Sequence, residues 1–282
     1  MIFLVLAMCG SAAISLTMKA FRAQRGNRYG MLLGNYITCV IVGFLMLGDP
    51  GLLLRGSVTS LVLGVIGGVF FVANLVSMQS SIRQNGAGLS AAFAKLGLVV
   101  TLGVSVLCFG ERATPMQLAG IALVFAALLL IHGGGGKAGE NRSFLLLLLV
   151  LFTGGAGDVM SKVFDELGTA AEGTLFFFWL FLTACLLTSA LALREKRRTG
   201  AKLLWKELAS GILVGIPNYF SSYWLLLALG SLPAVLVYPV ASTGTILLVM
   251  AASALLFHEK LTRRQLAGIL LILAALVLLN IG

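Results

Sequence analysis

Ten stretches of about 20 mostly apolar residues follow one another with little between them. They lie at roughly 2–20, 29–47, 57–80, 87–109, 114–132, 143–164, 173–193, 207–229, 233–256 and 262–281. A stretch of that length crosses a bilayer as a helix. Inside lipid the backbone must satisfy its own hydrogen bonds, which leaves only helices or a closed barrel. These runs do not alternate apolar with polar residues, and that removes the barrel. The expectation is an all-α membrane protein with ten transmembrane helices. Composition agrees: 11% of the 282 residues are charged, against about 25% in a soluble domain.

The chain also repeats itself. Residues 109–131, FGERATPMQLAGIALVFAALLLI, and 257–279, FHEKLTRRQLAGILLILAALVLL, match at thirteen of 23 positions without a gap, at an offset of 257 − 109 = 148. Leu/Ala-rich stretches match by chance, but Glu111/Glu259, Thr114/Thr262 and Gln117/Gln265 also fall in register. A weaker echo, LTMKAF and VMSKVF, ends the first and sixth spans. The Gly-rich, mixed-charge stretch at 133–142 reads as a flexible linker. It divides the chain into two five-helix halves, 1–132 and 143–282. Five is odd, so two halves of one fold must enter the membrane from opposite sides. Such inverted repeats are a transporter signature.

Basic residues set the orientation. Loops after odd-numbered spans hold sixteen Lys and Arg, and loops after even-numbered spans hold Arg55, Arg112 and Lys162. Basic loops stay in the cytoplasm, so both termini are expected outside. The same rule accounts for the net charge of +10 without nucleic acid as a partner. The four cysteines lie in apolar runs without metal-ligand spacing and read as small hydrophobes. The start, MIFLVLAMCG, has no basic leader region and reads as a first span rather than a removed signal.

Gly110-Glu111-Arg112 leaving one span, with Gln117-Leu-Ala-Gly120 entering the next, resembles the EamA-type transporters of the drug/metabolite transporter superfamily. So does the second copy, Glu259-Lys260 with Gln265-Leu-Ala-Gly268. The ten spans and the 5+5 repeat are similar to that family over essentially the whole chain. The resemblance implies export or exchange of small metabolites through a central cavity walled by both halves. Three features depart from the family: His258 replaces its usual Gly, Gly10-Ser11 stands where Trp-Gly is common in the first span, and characterised members usually have their termini inside.

A charge at membrane depth costs about 2.5–3.5 kcal/mol on insertion scales and needs a reason. Lys95 sits well inside the fourth span. It reads either as a cavity cation for a substrate carboxylate or phosphate, or as half of a structural ion pair. Nucleotide-sugar transporters of the same superfamily have a related lysine. Asp158, in the sixth span, reads either as a proton-coupling carboxylate or as a group neutralised by Lys95 or Lys162. Lys19, Lys162, Glu111 and Glu259 stand at span ends, as anchors or as caps for neighbouring helix ends. In the eighth span Asn218, Tyr219 and Tyr223 gather at one depth, where Pro217 is expected to break the helix. Asn74 in the third span and Tyr238 and Thr243 in the ninth add polar groups. Thr243 is the repeat position of Lys95, 95 + 148 = 243. Lys95, Asp158, Asn74, Asn218, Tyr219, Tyr223, Tyr238 and Thr243 are therefore the candidate substrate-binding or coupling residues.

No catalytic set, metal-ligand pattern or phosphate-binding loop is present, so neither an enzyme nor a cofactor is expected. The expectation is a secondary transporter of the cytoplasmic membrane, coupled to protons or to exchange. Its partners would be a small-molecule substrate and the lipid bilayer, and it would be a monomer or a homodimer. A flippase for a lipid-linked substrate and a non-transporting scaffold or receptor are the alternatives.

Overall fold

The computed structural model describes residues 1–20, 27, 29–85, 87–132, 143–256 and 263–281. The elements run α1 (Ile2–Ala20), α2 (Gly30–Met46), α3 (Leu52–Arg55), α4 (Val58–Asn85), α5 (Ala87–Leu96), α6 (Leu98–Phe109), α7 (Pro115–His132), α8 (Phe144–Leu167), α9 (Gly173–Thr199), α10 (Trp205–Leu229), α11 (Ala234–Leu256) and α12 (Arg263–Ile281). A 3-10 turn, Ala170–Glu172, precedes α9. No strand occurs among the described residues. Among the described residues, five helices are long and apolar enough to cross a membrane, and five shorter apolar helical segments accompany them. The chain is an all-helical, multi-pass membrane protein. The Gly-rich linker and Lys260, Glu259 and His258 lie outside the described residues, as does the side chain of Lys19.

One expectation gains detail and one needs correction. The fourth span runs as α5 and α6, joined at Gly97, which keeps right-handed helical angles of φ −51° and ψ −25°. There the Gly97 N–H bonds the Ala94 carbonyl and the Val100 N–H bonds the Gly97 carbonyl. These are tight i→i+3 turns in place of the α ladder. Pro217, conversely, does not break the eighth span. α10 runs unbroken through it, because packing on both sides holds a helix that has lost one backbone donor.

The helices form two compact units, each taking chain from both sequence halves. The first comprises residues 1–72 and 163–230, the second 73–162 and 231–282. In the first, α2 and α10 cross on small residues. Gly30-x-x-x-Gly34 meets Gly211-x-x-x-Gly215, and a Cβ on Gly211 would fall on the Met31 carbonyl. Such spacing lets backbones approach where lipid supplies no hydrophobic drive between helices. The Ser11 and Ser221 hydroxyls, 2.6 Å apart, tie α1 to α10. In the second unit α7 crosses α12 at Gly120, where a Cβ would stand 2.9 Å from Leu279 Cγ. The Gly of the repeated Gln-Leu-Ala-Gly is thus a crossing point.

Candidate functional site

The second unit holds five of the eight candidate residues. Its centre is the glycine stretch of α8, Thr153-Gly-Gly-Ala-Gly-Asp158. Gly155 lies against the break between α5 and α6. A Cβ on it would fall on the Gly97 carbonyl and 2.7 Å from Val100 Cβ. Thr101 Oγ1 donates to the Gly155 carbonyl at 3.2 Å. Gly155→Val must therefore push α8 off the break. An overpacked site of this kind costs about 1–3 kcal/mol, read as a lower melting temperature in detergent. Melting at the wild-type temperature would mean the helices are further apart than this.

The close approach brings charged and polar groups to one place. Lys95 is the penultimate residue of α5, and Asp158 lies one residue past the glycines. Both are half-buried. Each is the charge the other feels, yet neither side chain has a hydrogen bond or ion pair among the described residues. Asn74, on α4, takes a long 3.5 Å bond from Thr153 Oγ1. It stands with the Ala94 carbonyl beside Gly154. Tyr238 Oη donates to the Asp158 backbone carbonyl at 2.9 Å. Thr243 is fully buried, and its hydroxyl donates to the Pro239 carbonyl at 2.6 Å.

A second charged node of this unit explains the repeated motif. Gly110 adopts φ +69°, a left-handed conformation that suits glycine at a helix end. Its N–H and that of Glu111 both return to the Ser105 carbonyl. The chain so turned delivers the Glu111 carboxylate to the start of α11, where it accepts from the Ala234 and Val235 amides at 3.0 Å each. Lys162 Nζ lies 2.8 Å from the same carboxylate, its side chain 3% exposed. Glu111 thus caps a neighbouring helix, as its span-end position implied, and Lys162 is a buried member of an ion pair rather than a loop cation. Thr114 and Gln117 complete the motif: the Thr114 N–H donates to Gln117 Oε1 at 3.0 Å and the Gln117 N–H to Thr114 Oγ1 at 3.2 Å. This capping box opens α7. The spacing Thr-x-x-Gln was readable in the sequence; Glu259 and Thr262 of the second copy lie outside the described residues.

The remaining three candidates belong to the first unit. Asn218 Nδ2 donates to Asn35 Oδ1 at 3.1 Å, and Cys39 Sγ donates to the Gly215 carbonyl at 3.3 Å. These side chains join α10 to α2. Tyr219 is fully buried, stacked on Tyr223 at 6.2 Å and tilted against Phe181 at 5.8 Å. Its hydroxyl has no partner among the described residues. The cluster is completed by Phe176 and Phe177, from a Phe-rich run in α9 that the sequence reading passed over. A run of four aromatic letters, Phe176 to Trp179, has no helical period and so does not mark which face is buried. Among the described residues no group of three or more His, Cys, Asp or Glu could hold a metal ion.

Comparison with known proteins adds three findings. The family model of the EamA-like transporter family matches residues 141–281. An uncharacterized protein of Haemophilus influenzae is 25% identical over 285 residues, covering 97% of this chain and 95% of that protein. A solved crystal structure, whose description names no function, superposes with a TM-score of 0.72 at 14% identity, over 99% of this chain and 96% of that one. That structure supports the fold alone.

Proposed function

Because the chain belongs to the EamA-like transporter family, we propose that it is a ten-span secondary transporter built as a 5+5 inverted repeat. It moves a small polar or amphipathic metabolite across the cytoplasmic membrane by alternating access. The observation that carries this reading is the open charge pair in the second unit. Lys95 and Asp158 stand half-buried beside the Gly97 break, each without a closed partner among the described residues. The tightened turn at Gly97 and the glycines of α8 bring backbone carbonyls close to the two charges. A cation and an anion held apart offer one hand to a carboxylate or phosphate and the other to an ammonium or a proton. Asn74 and Tyr238 line the same glycine stretch. Asp158 is the group for proton coupling or exchange.

A thermal-shift screen against metabolite pools tests the reading. A ligand at 100 times its Kd adds about 2.7 kcal/mol to the folded state. A solute that raises the melting temperature of the wild type and not of Lys95→Met supports the site. Equal shifts in both proteins count against it.

Orientation is a separate prediction. With Lys162 withdrawn into the Glu111 pair, the basic count becomes sixteen against two. A cysteine at Arg197 should resist an impermeant thiol reagent in intact cells and react after lysis. Ready labelling before lysis would reverse the orientation.

A further inference from the structure

At the basic end of the first unit α9, α2 and the segment leading into α10 enclose a cavity of about 510 Å³. That is within the ~300–1,000 Å³ range of small-molecule sites. Its walls are Leu33, Ala192, Leu193 and Leu203, with Ser189 beneath and Lys196 and Arg197 at the rim. The Ser189 hydroxyl is spent on the Cys185 carbonyl at 2.7 Å, so the two cations are the polar groups left in the lining. Neither has an ion pair among the described residues, whereas their neighbour Arg198 leans on Glu195 at 3.8 Å.

The cavity is built rather than incidental. Asn27, 2% exposed, donates its side-chain amide to the Ala192 carbonyl at 3.0 Å and its backbone N–H to the Lys202 carbonyl at 3.3 Å. These bonds pin the two walls that carry Ala192 and Leu203. Exposed apolar side chains flank the site: Leu193 at 53%, Leu204 at 43% and Trp205 at 74%. Tryptophan in that setting marks the headgroup level of a bilayer. A solvated basic loop, the usual fate of such charges, needs no apolar chamber beneath it.

We infer that this cavity binds one anionic glycerophospholipid of the adjoining leaflet. An acyl chain lies along Leu33, Leu193 and Leu203. The phosphodiester takes the planar fork of Arg197 and the point charge of Lys196. A zwitterionic lipid offers the same chain, but its headgroup places a second positive charge against two cations. Anionic headgroups are therefore preferred, and the site fastens this end of α9 to the leaflet that carries them.

The test uses the full chain, purified and delipidated in a neutral detergent. Its melting is followed against dioleoylphosphatidylglycerol, dioleoylphosphatidylcholine and inorganic phosphate. Only phosphatidylglycerol should raise the melting temperature in a saturable way. Replacing the exposed rim, Lys196→Ala with Arg197→Ala, should weaken its apparent affinity roughly thirty-fold. Ser189→Phe, which fills the chamber with the charges intact, should weaken it as well. Arg198→Ala with Lys206→Ala should weaken it clearly less than the rim pair does, because Arg198 leans on Glu195 and neither residue lines the cavity. Three results overturn the proposal: phosphatidylcholine acting equally, inorganic phosphate alone reproducing the shift, or the control pair losing as much as the rim pair. The first makes the effect plain solvation, the second a free-anion site, and the third diffuse attraction to the basic surface.

Discussion

Replacing Glu111 with leucine is expected to destabilise the protein by about 3–5 kcal/mol, the usual loss when one partner of a buried ion pair is removed. Lys162 Nζ, 2.8 Å away and 3% exposed as a side chain, would lose this carboxylate. The amides of Ala234 and Val235 would lose their acceptor, leaving the first turn of α11 uncapped. Lys162→Met should cost less. The carboxylate it leaves behind keeps both amides and the positive end of the α11 dipole. The double variant should recover most of the pair's loss but not the cap, which is worth about 1 kcal/mol. Chemical or thermal unfolding in detergent measures all three. A Glu111→Leu protein within about 1 kcal/mol of wild type would show that the node is not a structural lock.

The same node sets a pH dependence. Burial acts to raise the Glu111 carboxyl, but the Lys162 ammonium and the two amides more than offset it. They hold the group below the ordinary glutamate range. The unfolded chain then binds more protons than the folded one between the two pKa values, so stability rises with pH across that interval. The contribution is complete above the ordinary glutamate value of about 4.3. It is lost as pH falls through the lower, folded value. Melting should therefore drop more steeply below about pH 4.3 in the wild type than in the Glu111→Leu/Lys162→Met double variant.

What the sequence disclosed and what it withheld divide along one physical line. The helices were legible because bilayer thickness fixes their length and lipid forbids any other backbone. The anchoring role of Glu111 was legible because it recurs at a span end, in register with Glu259. The break at Gly97 was not. A lone glycine in an apolar run costs a helix only about 1 kcal/mol, and the Gly155 that packs against it is distant in sequence. The partner of Lys162 was hidden for the same reason: at a span end, four residues from Asp158, it read as an anchor, a cap or that carboxylate's neutralising charge. Its buried pairing with Glu111 depends on how α8 packs beside the end of α6. Pro217 failed in the opposite direction: its local effect was real, but the packing of α10 on α1 and α2 overrode it. Likewise each compact unit takes chain from both sequence halves, because packing follows contacts that no linear repeat reveals.

Lys95→Met should fold and fail to transport. If Lys95 and Asp158 formed a closed structural pair, each single replacement would strand the other charge and cost about 3–5 kcal/mol, and the double neutral variant would be rescued. They are not closed: both are half-buried, and neither side chain has an ion pair or hydrogen bond among the described residues. Methionine keeps the length and the apolar stem of the lysine at a break that Gly97 and Gly155 already define, so the expected change in melting is a few degrees at most. The solute loses its cationic contact, and a hydrogen bond to a charged group is worth about 1.5–3 kcal/mol. That is roughly 10- to 150-fold in affinity at 1.4 kcal/mol per decade. Lys95→Arg should not restore transport, because a planar fork on a longer stem presents its donors differently from a point charge. Asp158→Asn should also fold, and should abolish proton dependence while leaving passive exchange of solute measurable. Flux in reconstituted vesicles, with and without a pH gradient, separates these effects. Two results would sink the reading: a Lys95→Met protein that is stable and fully active, or a Lys95→Met protein that unfolds and is rescued by Asp158→Asn. The first makes the lysine a bystander, and the second makes the two charges a strut rather than a site.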